Sequence, residues 1–318
     1  MSPYSHFSKG DEVTQEAVKC LPPASPETDI NIIRQGLAQV IPTFREVQAK
    51  DLPDKSSHTV QDRLIPVDDF SVVGFHSRGA GFFVGTLDMD EYWLIGLLVE
   101  LQLVIVSVDY RLAPEFPFPI PLNDSYTALK WCVSNASSIN VDPRKGLLVG
   151  GGSAGGNITA AIALRARDDP FFEEAGCPVT GQILQAPALL HPKADIPEKY
   201  RDLLRSMEEN KDAPVINVAS YLETIEYYKA PPNDPNVSMI LAARHSGLAP
   251  AYFQVCGFDP VRDEGLLYEK ILRENGVPTK IAVYPGLPHG GGHSHLPISA
   301  KYRKDIIHGT RWLLELKQ

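Results

Sequence analysis

From residue 70 onward the chain alternates short β-rich runs with helix-patterned stretches, and that alternation restricts the fold to helices packed on a largely parallel sheet. The runs are FSVVGF at 70–75, LVIVSVDY at 103–110, LLVGG at 147–151, QILQA at 182–186, AYFQVC at 251–256 and KIAVY at 280–284. Helical patterns near 90–100, 123–135, 155–168 and 262–275 are long enough to return the chain to the same edge of a parallel pair, which places helices on both faces. In DEGLLYEKILREN, Leu267, Tyr268, Ile271 and Leu272 form a one-sided apolar stripe and Gly276 supplies a stop. A last helix near 300–316 closes the domain.

Two segments fit this alternation poorly. One is residues 1–60. The other runs over 188–240 and carries Pro192, Pro197, Pro214, Pro231, Pro232 and Pro235 beside the helical patterns EKYRDLLRSMEEN and VASYLETIEYYK. Because the second interrupts strands that should be neighbours, the pair is expected to form a cap over the sheet's carboxyl edge, where ligands bind in such folds. The catalytic core then falls into two parts, 61–187 and 241–318.

With 318 residues, 43% of them hydrophobic and 22% charged, the chain can bury a sizeable core. A net charge of −9 argues against nucleic acid or an anionic membrane as partner, since both need a basic face. The first twenty residues carry no apolar core of signal-peptide length, and Trp93 to Val108 is interrupted by Glu100 and Gln102, so a cytoplasmic location is expected. Cys20, Cys132, Cys177 and Cys256 lie far apart without a C-x-x-C pair, which points to reduced, structural cysteines.

The strongest motif is Gly150-Gly151-Gly152-Ser153-Ala154-Gly155-Gly156-Asn157, a G-x-S-x-G between a predicted strand and a predicted helix. That context presents a serine hydroxyl at the top of a sheet on a sharp turn, with the N–H groups of the helix behind it. A phosphate loop is disfavoured because no Gly-Lys-Ser/Thr follows, and a dinucleotide fingerprint by the glycine spacing. Candidate partners follow in the order acid, then histidine. Asp259 leaves AYFQVCGF and His289 leaves KIAVYPGLP, each at a strand end, with Asp263 as fallback acid and His293 and His295 as competing histidines. No acidic or cysteine ligand lies beside the three histidines, so no metal is expected. The predicted catalytic set is therefore Ser153 as nucleophile, His289 as general base and Asp259 as its orienting acid. Oxyanion donors are sought in the loop Phe75 to Gly85, from Ala80 and Gly81 together with Ala154, and Arg78 and Phe82 are the expected substrate contacts there.

At these residues the chain resembles the hormone-sensitive-lipase-like, plant carboxylesterase-like branch of the α/β-hydrolases, from about residue 70 to 316. The serine and oxyanion segments carry the likeness together with SVDYRLAPEFPFP at 107–119 and GFDPVRDEG at 257–265. The resemblance implies an α/β-hydrolase fold with a mostly parallel eight-stranded sheet, a helical cap, no cofactor, and Arg111 and Glu115 fixing loops near the site. It implies a serine esterase acting on a small-molecule carboxylic ester, in the style of fungal tailoring hydrolases of secondary metabolism, and leaves a homodimer open. Acyl transfer, lactone opening, non-hydrolytic catalysis, or ligand binding over an idle triad are the alternatives. Two departures stand out: the branch's His-Gly-Gly-Gly is Arg78-Gly79-Ala80-Gly81 here, and Gly152 replaces the aspartate before the serine. Backbone donors survive the first change if Ala80 need not adopt a positive φ. Arg78, bulky and charged, is placed to alter substrate choice or to bind an acid group.

Overall fold

The computed structural model describes residues 2–21, 24, 29–48, 53, 57 and 73–317. Among them are six strands: β1 Val73–Ser77, β2 Val104–Val108, β3 Leu147–Gly152, β4 Gly181–Gln185, β5 Ala251–Phe258 and β6 Thr279–Pro288. All neighbours are parallel, in the order β2-β1-β3-β4-β5-β6. The eight strands implied by the resemblance are therefore six among the described residues, because the described chain before β1 supplies helices only. The start of the predicted run at 70–75 lies outside the described residues.

Alternation along the strands explains the two layers. Leu147, Val149, Leu184, Phe253 and Val255 pack on one face with the helices Ile120–Ser134, Ala154–Asp168 and Arg262–Glu274. Leu148, Ile183 and Tyr252 point the other way, into a second cluster with Trp93, Leu97, Ile306 and Leu313 from the helices Glu91–Leu101 and Pro297–Glu315. The stripe predicted on 262–275 is buried throughout, and Gly276 turns left-handed at φ 78° to end that helix.

The chain leaves β1 for β2 on one side and returns to form β3 on the other, so the β1/β3 carboxyl edge is a switch point where two loops diverge and leave a crevice. From the segment 188–240, VASYLETIEYYK folds as the helix Val218–Tyr228, capped by a reciprocal Asn217 and Ser220 box. EKYRDLLRSMEEN does not form one helix. It breaks into Glu198–Arg201 and Ser206–Glu209. The backbone N–H groups of Arg205 and Ser206 donate to the buried carboxylate of Asp263, each at 2.8 Å, in place of an i−4 carbonyl.

Candidate active site

Ser153 sits between β3 and the helix Ala154–Asp168 with φ 55° and ψ −117°, a strained backbone for a residue with a side chain. Its neighbours must be small. A Cβ on Gly151 would lie 2.5 Å from the Ser77 carbonyl oxygen, and one on Gly155 would lie 2.0 Å from the same atom. Ala154 opens the helix, so its N–H is among those without an i−4 partner, and the helix dipole adds partial positive charge behind the serine.

His289, one residue past the end of β6, bridges the other two predicted residues. Its Nε2 stands 2.7 Å from Ser153 Oγ and its Nδ1 2.7 Å from Asp259 Oδ2. A carboxylate only accepts, so Nδ1 carries the proton and Nε2 is left to accept the serine hydroxyl's hydrogen bond. Asp259 is 1% exposed, and its second oxygen accepts the Val261 N–H at 2.9 Å. Burial pushes the His289 imidazole down, but the charge and hydrogen bond of Asp259 together outweigh it and leave the pKa above the ordinary histidine value. The alternatives considered from the sequence lie elsewhere. Asp263 holds Arg262 and two backbone N–H groups, His293 stands near Asp90, and His295 is exposed.

After β1, the loop brings Gly79 against Gly152 and Ser153: a Cβ on Gly79 would meet the Gly152 carbonyl oxygen at 3.1 Å and Ser153 Cβ at 4.0 Å. Ala80, Gly81 and Phe82 have φ of 72°, 65° and 65°. Ala80 does adopt the positive φ that glycine would take freely, at a cost of roughly 1–2 kcal/mol. Two other segments, at Arg34 and at 110–113, hold the loop in this shape. Ala113 N–H donates to the Phe82 carbonyl at 3.0 Å, Arg34 to that of Phe83 at 2.9 Å, and the Tyr110 hydroxyl to that of Arg78 at 3.0 Å.

Arg78 borders neither space beside the serine. Its guanidinium is buried, donates to the Gly85 and Tyr110 carbonyls at 2.8 and 2.6 Å, pairs with Asp109 and lies 4.7 Å from the Tyr110 ring centroid. Its two terminal nitrogens thereby tie the loop to the neighbouring segment. Phe82 stacks on Tyr228 with centroids 3.7 Å apart and borders only the smaller of two spaces beside the serine.

Ser153 and His289 border both spaces. The larger, about 340 Å³, runs past Ala80 and Gly81 and is walled chiefly by apolar side chains, with Asp90, Glu223, His293 and Arg303 as charged or titratable exceptions. Ile33 and Leu37 of the helix Ile30–Gln48 and Val215 and Ile216 before the helix Val218–Tyr228 contribute to that wall. The smaller space, about 20 Å³, lies against Gly81, Phe82, Ala154, Tyr221 and Val261. Sequence reasoning missed Asp90 and the wall residues. Asp90 reads as a helix-start aspartate ahead of Glu91, and nothing local marks which face of the helix Ile30–Gln48 meets a cavity.

Residues 72–292 match the family described as the α/β-hydrolase fold, and the chain belongs to that family. It is 34% identical to an AB hydrolase superfamily protein of Schizosaccharomyces pombe, over 97% of this chain and 95% of that protein. It is 38% identical to the versiconal hemiacetal acetate esterase of Dothistroma septosporum, over 76% of this chain and 73% of that enzyme. The crystal structure of vibralactone cyclase superposes with a TM-score of 0.90 at 34% identity, covering 98% of this chain and 97% of that one. Among the described residues no helix is long and apolar enough to cross a membrane.

Proposed function

We propose that the protein is a serine esterase that cleaves a carboxylic ester of a small molecule through an acyl-enzyme on Ser153. The observation that carries this is the unbroken chain of 2.7 Å contacts from Asp259 through His289 to Ser153. His289 Nε2 removes the Oγ proton as Oγ attacks the ester carbonyl, and Asp259 holds the imidazole and stabilises the imidazolium. The N–H groups of Ala80, Gly81 and Ala154 take the oxyanion, each worth roughly 2.7–4 kcal/mol in the transition state. His289 then returns the proton to the leaving alkoxide, and water activated by the same imidazole releases the acid.

The unequal spaces support a short acyl group. A volume of about 20 Å³ holds little more than one water-sized group, enough for an acetyl methyl. The larger chamber then takes the alcohol part. The relative from Dothistroma septosporum, named an acetate esterase, fits this division. The helix Ile30–Gln48 and the segment 188–240 serve as the cap over that chamber.

Intact mass after incubation with a fluorophosphonate, together with turnover of p-nitrophenyl acetate, tests the reading. One adduct on the wild type and none on Ser153→Ala, with turnover lost in the variant, is the expected result. A p-nitrophenyl series should lose at least tenfold in kcat/KM between acetate and hexanoate. Absence of an adduct on folded protein defeats the mechanism and leaves ligand binding over an idle triad.

The likeness to vibralactone cyclase favours one second reading, in which a nucleophile inside the substrate takes the acyl group from Ser153 and closes a ring. Turnover in ¹⁸O-water separates the two, since only hydrolysis puts the label into a carboxylic acid product.

A further inference from the structure

Asp90, just ahead of the helix Glu91–Leu101, lies on the wall of the large chamber and is 7% exposed. Its Oδ1 accepts the indole N–H of Trp93 at 3.0 Å. His76 Nε2 stands 3.4 Å from Oδ2, and His293 Nε2 stands 3.7 Å from Oδ1. Behind the carboxylate, His76 is fixed by Ser107 Oγ at 3.0 Å from its Nδ1 and packs edge-on to Trp93. Burial pushes both imidazoles below the ordinary histidine value, so at neutral pH neither supplies a charge to balance Asp90.

A carboxylate has about four acceptor sites, and exposing one to an apolar cavity is costly unless donors fill them. Besides the indole N–H already counted, the chamber residues Met89 and Ile306 have no side-chain donor to offer it. The triad uses neither Asp90 nor His293, so the pair is left over from the chemistry.

We propose that Asp90 and His293 form a recognition point for a hydroxyl group, alcoholic or phenolic, on the larger, alcohol-derived part of the substrate. The hydroxyl donates to the Asp90 carboxylate and sits within reach of the His293 imidazole. This inference rests on the esterase reading for naming the ligand an ester, but the hydroxyl site itself does not. A neutral donor is favoured over an ammonium because the chamber is walled chiefly by apolar side chains, where bringing in a second charge costs far more desolvation than bringing in a hydroxyl, and an anion would meet Asp90.

The test is binding, measured by titration calorimetry on Ser153→Ala so that turnover does not intervene. The ligands are 1-naphthyl acetate and its ring-hydroxylated monohydroxy isomers. At least one isomer should bind roughly tenfold or more tightly than the parent ester, the gain expected for a hydrogen bond to a charged group. Asp90→Asn, which keeps an acceptor for Trp93, should remove most of that gain, and Asp90→Leu should remove all of it. No gain for any isomer, or a gain that survives both substitutions, overturns the proposal. The two readings fail separately. Wild type that takes no fluorophosphonate and hydrolyses no ester, while the Asp90-dependent gain persists, sinks the esterase reading and leaves the hydroxyl site standing. Turnover of the parent ester with no gain from any hydroxyl does the reverse.

Discussion

In the proposed role of base His289 must be neutral, and Asp259 holds its pKa above the ordinary histidine value against the opposing effect of burial. The sign follows directly: kcat/KM should fall as pH drops, with an acid limb lying above 6.5 in the free enzyme. Asp259→Asn leaves burial unopposed, so the limb should move to lower pH while the rate drops on the order of 10⁴-fold. A pH profile of p-nitrophenyl acetate turnover for both proteins checks this, and an acid limb that stays put in the variant would mean that another group titrates. Ser153, Asp259 and His289 were legible in the sequence because each follows a strand end, where the chain's own pattern says which edge it occupies. The direction that Arg78 takes is not legible there, because a guanidinium's partners, here the Gly85 and Tyr110 carbonyls, are set by folding and leave no local trace. The positive φ of Ala80, 72°, likewise has no signature in its own residue type, since alanine does not favour that region.

Elements that look separate in the sequence are joined through one buried cation. Arg262 opens the helix Arg262–Glu274, has a fully buried side chain, and reaches Asp263 at 2.7 Å, Glu209 at 2.8 Å and Ser8 Oγ at 2.6 Å. Glu209 in turn accepts the Ser2 N–H at 2.8 Å. The N-terminal stretch, the broken helices at 198–209 and the helix after the acid-bearing loop are therefore one unit. Arg262→Ala strands two carboxylates and should cost about 3–5 kcal/mol in denaturant unfolding, whereas loss of an exposed pair such as Lys193 with Glu226 should leave the midpoint nearly unchanged. Equal midpoints for wild type and Arg262→Ala would contradict this account. All six strands and the main crossover helices overlap the runs that periodicity marks, β1 and β6 extending past the ends of theirs, and the start of the β1 run lies outside the described residues. EKYRDLLRSMEEN defeated that method because its apolar spacing is helical while Asp263, more than fifty residues away, captures two of its backbone N–H groups.

At the scale of the whole molecule, the sheet edge holds the reacting groups and remote stretches enclose them. Ile33 and Leu37 come from the helix Ile30–Gln48, while Ile216 and Thr224 come from the other side of the serine in the chain. Leu37→Trp should accordingly depress kcat/KM for naphthyl acetate at least tenfold relative to that for ethyl acetate. An unchanged ratio would show that this helix does not bound the space taken by the bulky alcohol group. Composition and charge foresaw none of this, because they describe the chain's totals and the chamber depends on which few side chains meet. One consequence concerns descent. The triad lies at positions 153, 259 and 289, and much of the enclosing wall lies at 33–37 and 215–224, so reaction and diet are written on different stretches of the same chain. Mutation can revise the second without touching the first. Lineages built on this plan are expected to change what they accept far more readily than what they do to it, with the same three reacting residues standing behind unlike walls.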